Sequence, residues 1–251
     1  MRRTRTRLAR RIDIGDLAFR VITEARADAA DLPTIVLVHG IGMSSRYFAR
    51  LHDALLPHSR VVSLDLPGFG AMPRPARAVD VDTMAAALAE VVASLDAGPA
   101  VLVGHSIGTQ WAVELGRQRP DLVSRVVAIG PVADVAHRSA AAQARALAVD
   151  TFLESPATNW IVSTDYLRCG VPWYVAQLQP MLTYPIEERV RELTMPLLVI
   201  RGEHDPIAST RWCRLLRASA PVASLVHIPG GPHNAQRSAP RAVAAAILAH
   251  A

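Results

Sequence analysis

Ser106 lies in the stretch "VLVGHSIGTQ" (101–110), between an apolar run that reads as a strand and a segment that reads as a helix. The pentapeptide "GHSIG" at 104–108 fits G-x-S-x-G, a pattern in which a serine rides on a sharp strand-to-helix turn. Such a turn crowds its flanks, and Gly104 and Gly108 keep side chains out of the way. The same geometry lifts the hydroxyl above the sheet and sets the Ile107 amide at a helix N-terminus, where its N–H can meet a developing oxyanion. A serine hydroxyl is a weak nucleophile unless a base takes its proton. The remaining sequence must therefore supply that base.

His233, in the glycine-rich segment "IPGGPHNAQ" (228–236), follows the last apolar run and could lean over the sheet edge towards Ser106. Asp205, in "IRGEHDPIA" (200–208), lies just past the preceding run, where a carboxylate can hold the imidazole in one tautomer. Asp134, after "RVVAIGPV", is a second position from which the acid could come, and Asp205 is the preferred reading. His105 reads as packing within the turn and His39 as a structural hydrogen-bonding residue. The second oxyanion donor is expected in "HGIGM" (39–43), from the amide of Ile41 ahead of that of Gly42.

These residues need elements to carry them. Residues 11–23 alternate apolar and polar on both sides of Gly15-Asp16, which predicts an antiparallel hairpin. Six short apolar runs without alternation follow, at 34–40, 60–65, 100–104, 125–130, 197–202 and 223–230, as expected of strands covered on both faces. Helical patterns at 81–96, with Asp82 or Thr83 as the cap, and at 107–119, 209–219 and 237–251 alternate with them. The alternation predicts a parallel sheet with helices on both faces and chemistry at the carboxyl ends of its strands. Residues 133–195 break the rhythm and read as an inserted helical lid. The core is then 12–132 and 196–251. The lid segment holds six of the twelve aromatic residues; Phe152, Trp160, Tyr166, Trp173 and Tyr174 are candidates to line an apolar substrate pocket, or to pack the lid onto the core.

The formal charge of +5 would suggest an anionic polymer or surface if it were spread over a fold. It is not: Arg2, Arg3, Arg5, Arg7, Arg10 and Arg11 crowd residues 1–11, and the rest of the chain carries 21 basic against 22 acidic side chains. Residues 1–11 read as a disordered basic tail, and no nucleic-acid partner is expected. No apolar run follows that would make the tail an export signal, and none reaches the ~18 residues of a membrane span. A soluble, cytoplasmic protein is expected. Cys169 and Cys213 read as buried thiols; neither has metal-ligand spacing, and no metal or organic cofactor is called for.

Together "HGIG" (39), "DLPGFG" (65–70), "GHSIG" (104), "GEHDP" (202) and "GGPHN" (230) resemble the α/β-hydrolase superfamily, in its lidded branch of small esterases and C–C bond hydrolases. The resemblance spans residues 12–251 apart from the lid. It implies a mostly parallel central sheet flanked by helices, a triad of Ser106, Asp205 and His233, and Ile41 and Ile107 as oxyanion donors. Thr109 departs from it, standing where many relatives have a second glycine. A serine rather than an aspartate at the turn argues against dehalogenase or epoxide-hydrolase chemistry, which needs a carboxylate nucleophile. The expectation is hydrolysis of an ester, thioester or activated C–C bond in a medium-sized hydrophobic small molecule, by a monomer or homodimer. The competing reading is a ligand receptor or a cofactor-free isomerase, cyclase or acyltransferase on the same fold.

Overall fold

Apolar strands that bury both faces must be sandwiched between helices, and this is the arrangement found in the computed structural model, which describes residues 7–24 and 32–250. In chain order the elements are β1 (Arg7–Ile14), β2 (Leu17–Glu24), β3 (Thr34–Val38), α1 (Ala49–Leu55), β4 (Arg60–Asp65), α2 (Val81–Ala93), β5 (Ala100–His105), α3 (Gly108–Gln118) and β6 (Val123–Ile129). Four helices follow, α4 (Ala140–Leu153), α5 (Pro156–Cys169), α6 (Val171–Thr183) and α7 (Ile186–Arg189). The chain then forms β7 (Leu197–Gly202), α8 (Thr210–Ser219), β8 (Ala223–Ile228), α9 (Ala235–Ser238) and α10 (Pro240–Ala249).

The strands form one eight-stranded sheet in the order β1-β2-β4-β3-β5-β6-β7-β8. β1 and β2 pair antiparallel, as do β2 and β4, while every pair from β4 through β3 to β8 is parallel. Because side chains alternate across a strand, each central strand feeds both faces. Ile35, Leu37, Val101, Val103, Val127 and Ile129 join the core on one face, and Val36, Val38, Leu102, Val126 and Ala128 the core on the other. The chain leaves β3 for β4 on one side and later enters β5 on the other, so the loops after β3 and β5 open at a topological switch point.

The structure corrects several expectations. Residues 7–11 are not tail: they extend the hairpin as the outer strand β1, in register with β2 from Arg7 opposite Glu24 to Ile14 opposite Leu17. Arg7 forms ion pairs with Glu24 (3.2 Å) and Asp53 (2.9 Å), and Arg10 donates to the Ser94 carbonyl (3.2 Å), so these arginines are tied to neighbouring elements. The rest of the expected tail, residues 1–6, lies outside the described residues. The cap of α2 is Asp80, which accepts from the Thr83 N–H at 2.7 Å, rather than Asp82 or Thr83. Helix α1 has no counterpart in the sequence reading, and the final helical pattern breaks into α9 and α10, with Pro240 in the first turn of the latter. Residues 133–195 contain helices and no strand. None of the described helices is long and apolar enough to cross a membrane.

The exit from β5 is among the tightest points of the sheet. A Cβ on Gly104 would lie 2.2 Å from the Gly108 carbonyl oxygen, and one on Gly108 would lie 2.3 Å from that of Val38. Both obstacles are backbone and cannot swing aside. Gly108→Ala is therefore expected to lower the unfolding free energy by about 3 kcal/mol, read as a lower urea midpoint. Gly98→Ala, in open space but with φ +65°, should lose only about 1 kcal/mol.

Candidate active site

Ser106 takes φ +57°, in the left-handed region that a residue with a Cβ rarely adopts. Holding it there costs about 1–2 kcal/mol, offset by the backbone on both sides. The Ser106 N–H donates to the Ile129 carbonyl (3.0 Å), and its own carbonyl accepts from the Thr109 N–H (3.0 Å) and hydroxyl (2.7 Å). Thr109, the departure from the family pattern, thus fastens the turn. The Ser106 hydroxyl itself bonds to no described residue.

The loops after β3, β5, β7 and β8 bring Ile41, Ser106, Asp205 and His233 to the same edge of the sheet. Asp205 Oδ2 lies 2.9 Å from His233 Nδ1, and its Oδ1 accepts from the Ile207 and Ala208 N–H groups at 2.8 and 2.9 Å. Asp134, the other candidate acid, is committed elsewhere: it accepts from the Ser209 hydroxyl (2.6 Å) and the Ala136 N–H (2.9 Å). The N–H groups of Ile41 and Ile107 donate to no described acceptor.

A cavity of about 480 Å³ lies between this edge and helices α4 to α6. Ile41, Ser106 and His233 are in its wall, as are Tyr166 and Tyr174, whose rings are 5.2 Å apart. The other three proposed pocket aromatics are elsewhere. Phe152 and Trp160 are 90% and 70% exposed. On α4 the wall is made by Ala140, Ala144, Leu147 and Thr151 at helical spacing, and Phe152 falls off that stripe, as Trp160 falls off the Asn159, Val162, Tyr166 stripe of α5. Trp173 is buried against Phe69, its indole over Gly68, and packs α6 onto the core. Arg168 is half exposed and paired with Asp165 (3.4 Å), outside the wall.

Burial alone would lower the His233 pKa, but the charge and hydrogen bond of Asp205, and the charges of Asp150 and Glu154, outweigh it and raise it to about 9. Asp150 and Glu154 were not anticipated. From α4 and the residue that caps its end they accept the backbone N–H groups of His233 (2.9 Å) and Asn234 (3.1 Å), tying the histidine loop to this helix. The available signal was two acids four residues apart on an alanine-rich helix. His105 does more than pack: the Tyr47 hydroxyl lies 2.6 Å from both its Nδ1 and Asn234 Oδ1, and its Nε2 is 3.1 Å from the His233 carbonyl oxygen. Burial holds the His105 pKa well below the ordinary value, so this ring supports its neighbour without adding charge. His39 bonds backbone, with Nε2 accepting from the Leu66 N–H at 3.1 Å. Cys169 and Cys213 are buried thiols. Among the described residues no three His, Cys, Asp or Glu side chains are grouped to hold a metal ion.

Residues 35–246 match the model of the alpha/beta hydrolase family. The chain is similar to 2-(acetamidomethylene)succinate hydrolase of Mesorhizobium japonicum, 25% identical over 96% of this chain and 94% of that one. It is equally close, at 25% over 86% of this chain and 89% of the other, to (E)-2-((N-methylformamido)methylene)succinate hydrolase of Acinetobacter baylyi. Among solved structures, the enol-lactonase of Burkholderia xenovorans superposes with a TM-score of 0.82, 19% identity and coverage of 96% and 98%.

A native state that binds the His233 proton more tightly than the unfolded chain is stabilised below pH 6.5 and loses that stabilisation as pH rises towards about 9. Urea titrations should show stability falling across this window by up to roughly 3 kcal/mol, and Asp205→Asn should flatten the fall.

Proposed function

The chain belongs to the α/β-hydrolase family and is a hydrolase, and from this premise we propose that it cleaves an ester, thioester or activated C–C bond of a medium-sized hydrophobic molecule through an acyl-enzyme on Ser106. The observation that carries the reading is His233, bonded to Asp205 through Nδ1 and exposed to the cavity that Ser106 also lines. His233 takes the hydroxyl proton as Ser106 Oγ adds to the substrate carbonyl. The oxyanion is received by the Ile41 and Ile107 N–H groups, which have no other partner among the described residues. The imidazolium, favoured by Asp205 and by the carboxylates of α4, then protonates the leaving group, and the neutral ring takes a proton from the water that releases the acid.

We read α4 to α7 as the lid of this site, with Tyr166 and Tyr174 against the substrate. The two relatives are named for succinates, which carry carboxylates. No arginine lines this cavity, so that substrate is not carried over.

Incubation with a fluorophosphonate probe should add one adduct to the wild type, by intact mass, and none to Ser106→Ala. Ser106→Ala should lower kcat on a hydrolysed ester by about 10⁴- to 10⁶-fold. An unlabelled, folded wild type that turns over no ester would favour the receptor or non-hydrolytic reading. Because His233 must be neutral to act as base, kcat/KM should rise with pH to a limb near 9, and Asp205→Asn should move that limb down.

A further inference from the structure

We propose that Glu154, supported by Asp150, makes the cavity selective for substrates that carry a protonated amine and against those that carry a carboxylate. The assignment rests on the hydrolase reading and names the charge of the substrate it implies.

The argument begins with the charges in the wall. Among the described lining residues, the side chains with formal charge are Asp150 and Glu154, beside the two imidazoles His105 and His233. The chain has no lysine at all, and no arginine reaches the wall. Arg168 is held by Asp165. Arg237 lies near Glu154 but outside the wall, donating to the Thr158 hydroxyl at 3.3 Å. Neither wall carboxylate has an ion-pair partner within 4.0 Å among the described residues.

The two carboxylates are not equally committed. Asp150 spends both oxygens on the histidine loop, Oδ1 on the His233 N–H at 2.9 Å and Oδ2 on Asn234 Nδ2 at 3.5 Å. Glu154 uses Oε1 on the Asn234 N–H at 3.1 Å, while its Oε2 is buried with no hydrogen-bond partner. Glu154 is only 8% exposed. A buried carboxylate oxygen without a donor is unfavourable, and burial accordingly raises the pKa of both acids. A turn of the Glu154 side chain that brings Oε2 to the cavity would let a substrate N–H supply the missing bond, and a cationic one would also offset the charge.

The rest of the α4 face in the wall is mostly apolar, with Ala140, Ala144, Leu147 and Ala148 beside the neutral polar Gln143 and Thr151. The complement of this wall is an apolar acyl or alcohol chain with an ammonium group on it. A carboxylate in the same place would meet two like charges, offset only by the His233 imidazolium and by Arg237 outside the wall.

The test uses three p-nitrophenyl esters of equal acyl length, ending in methyl, ammonium and carboxylate, compared at pH 8. The wild type should hydrolyse the ammonium ester with a kcat/KM about 10²-fold above that of the carboxylate ester. Glu154→Gln, which keeps the shape, should shrink that ratio about tenfold; because the ratio is taken within one enzyme, any change in His233 basicity, which the methyl ester reports, divides out. Equal wild-type rates on the two charged esters, or a ratio unchanged in Glu154→Gln, would overturn the assignment while methyl-ester turnover leaves the hydrolase reading standing. Should no ester turn over and Ser106 take no fluorophosphonate, the hydrolase reading itself fails. Calorimetric binding of the matching anilides, which does not need turnover, then decides the charge preference: tighter ammonium binding upholds it and equal or tighter carboxylate binding ends it.

Discussion

Contact between backbones at the exit of β5 is the constraint on which the site depends. Gly104, Gly108 and Val38 approach so closely that only glycine fits at the first two positions, and this closeness turns the chain from strand to helix within a few residues. The Ser106 hydroxyl stands where it does because the chain has no other way to make that turn, at φ +57°. The strain is held by the Ile129 carbonyl on one side and by Thr109 on the other. Both anchors belong to elements packed through the core on either face of the sheet, so the stability of the whole sheet keeps one serine in an unfavourable conformation.

Around this fixed point the electrostatics are lopsided. His233 is nearly enclosed, yet it favours its protonated form because acids from two different parts of the chain surround it: Asp205 from the loop after β7, and Asp150 and Glu154 from α4. Asp205 aligns the ring, whereas the α4 acids grip the backbone that carries it. His105, Tyr47 and Asn234 complete the support with neutral groups. The end of α4 is therefore joined to the histidine loop by hydrogen bonds.

The fold was legible in the sequence because its central strands are apolar on both faces and short enough to be told from helices. β4 and β7 begin and end where the apolar runs do. Ser106, Asp205 and His233 were legible because each sits at a turn signal directly after such a run. What failed was whatever depended on which way a helix is rotated. Phe152 and Trp160 are aromatic, but an α-helix of nearly uniform polarity on the outside of a protein gives no sign of which stripe faces inward. The carboxylates of Asp150 and Glu154 escaped notice for a related reason, since an acid on a helix is ordinarily solvated. Residues 7–11 carry no alternation and all five are exposed; an outermost strand needs little apolar content when one face and one edge are open to water.

That outermost strand also accounts for where the arginines are. β1 pairs with β2 on one side and with nothing described on the other, so a row of backbone N–H and C=O groups is left facing outward. Such a row can template the addition of a strand from a second molecule, and the commonest protection is a set of like charges along it. Arg7, Arg10 and Arg11 are exposed on β1, so a second copy docking here would bring guanidinium groups against guanidinium groups. The arginines of residues 7–11 thus lie along an open strand edge, where like charges oppose the addition of another strand.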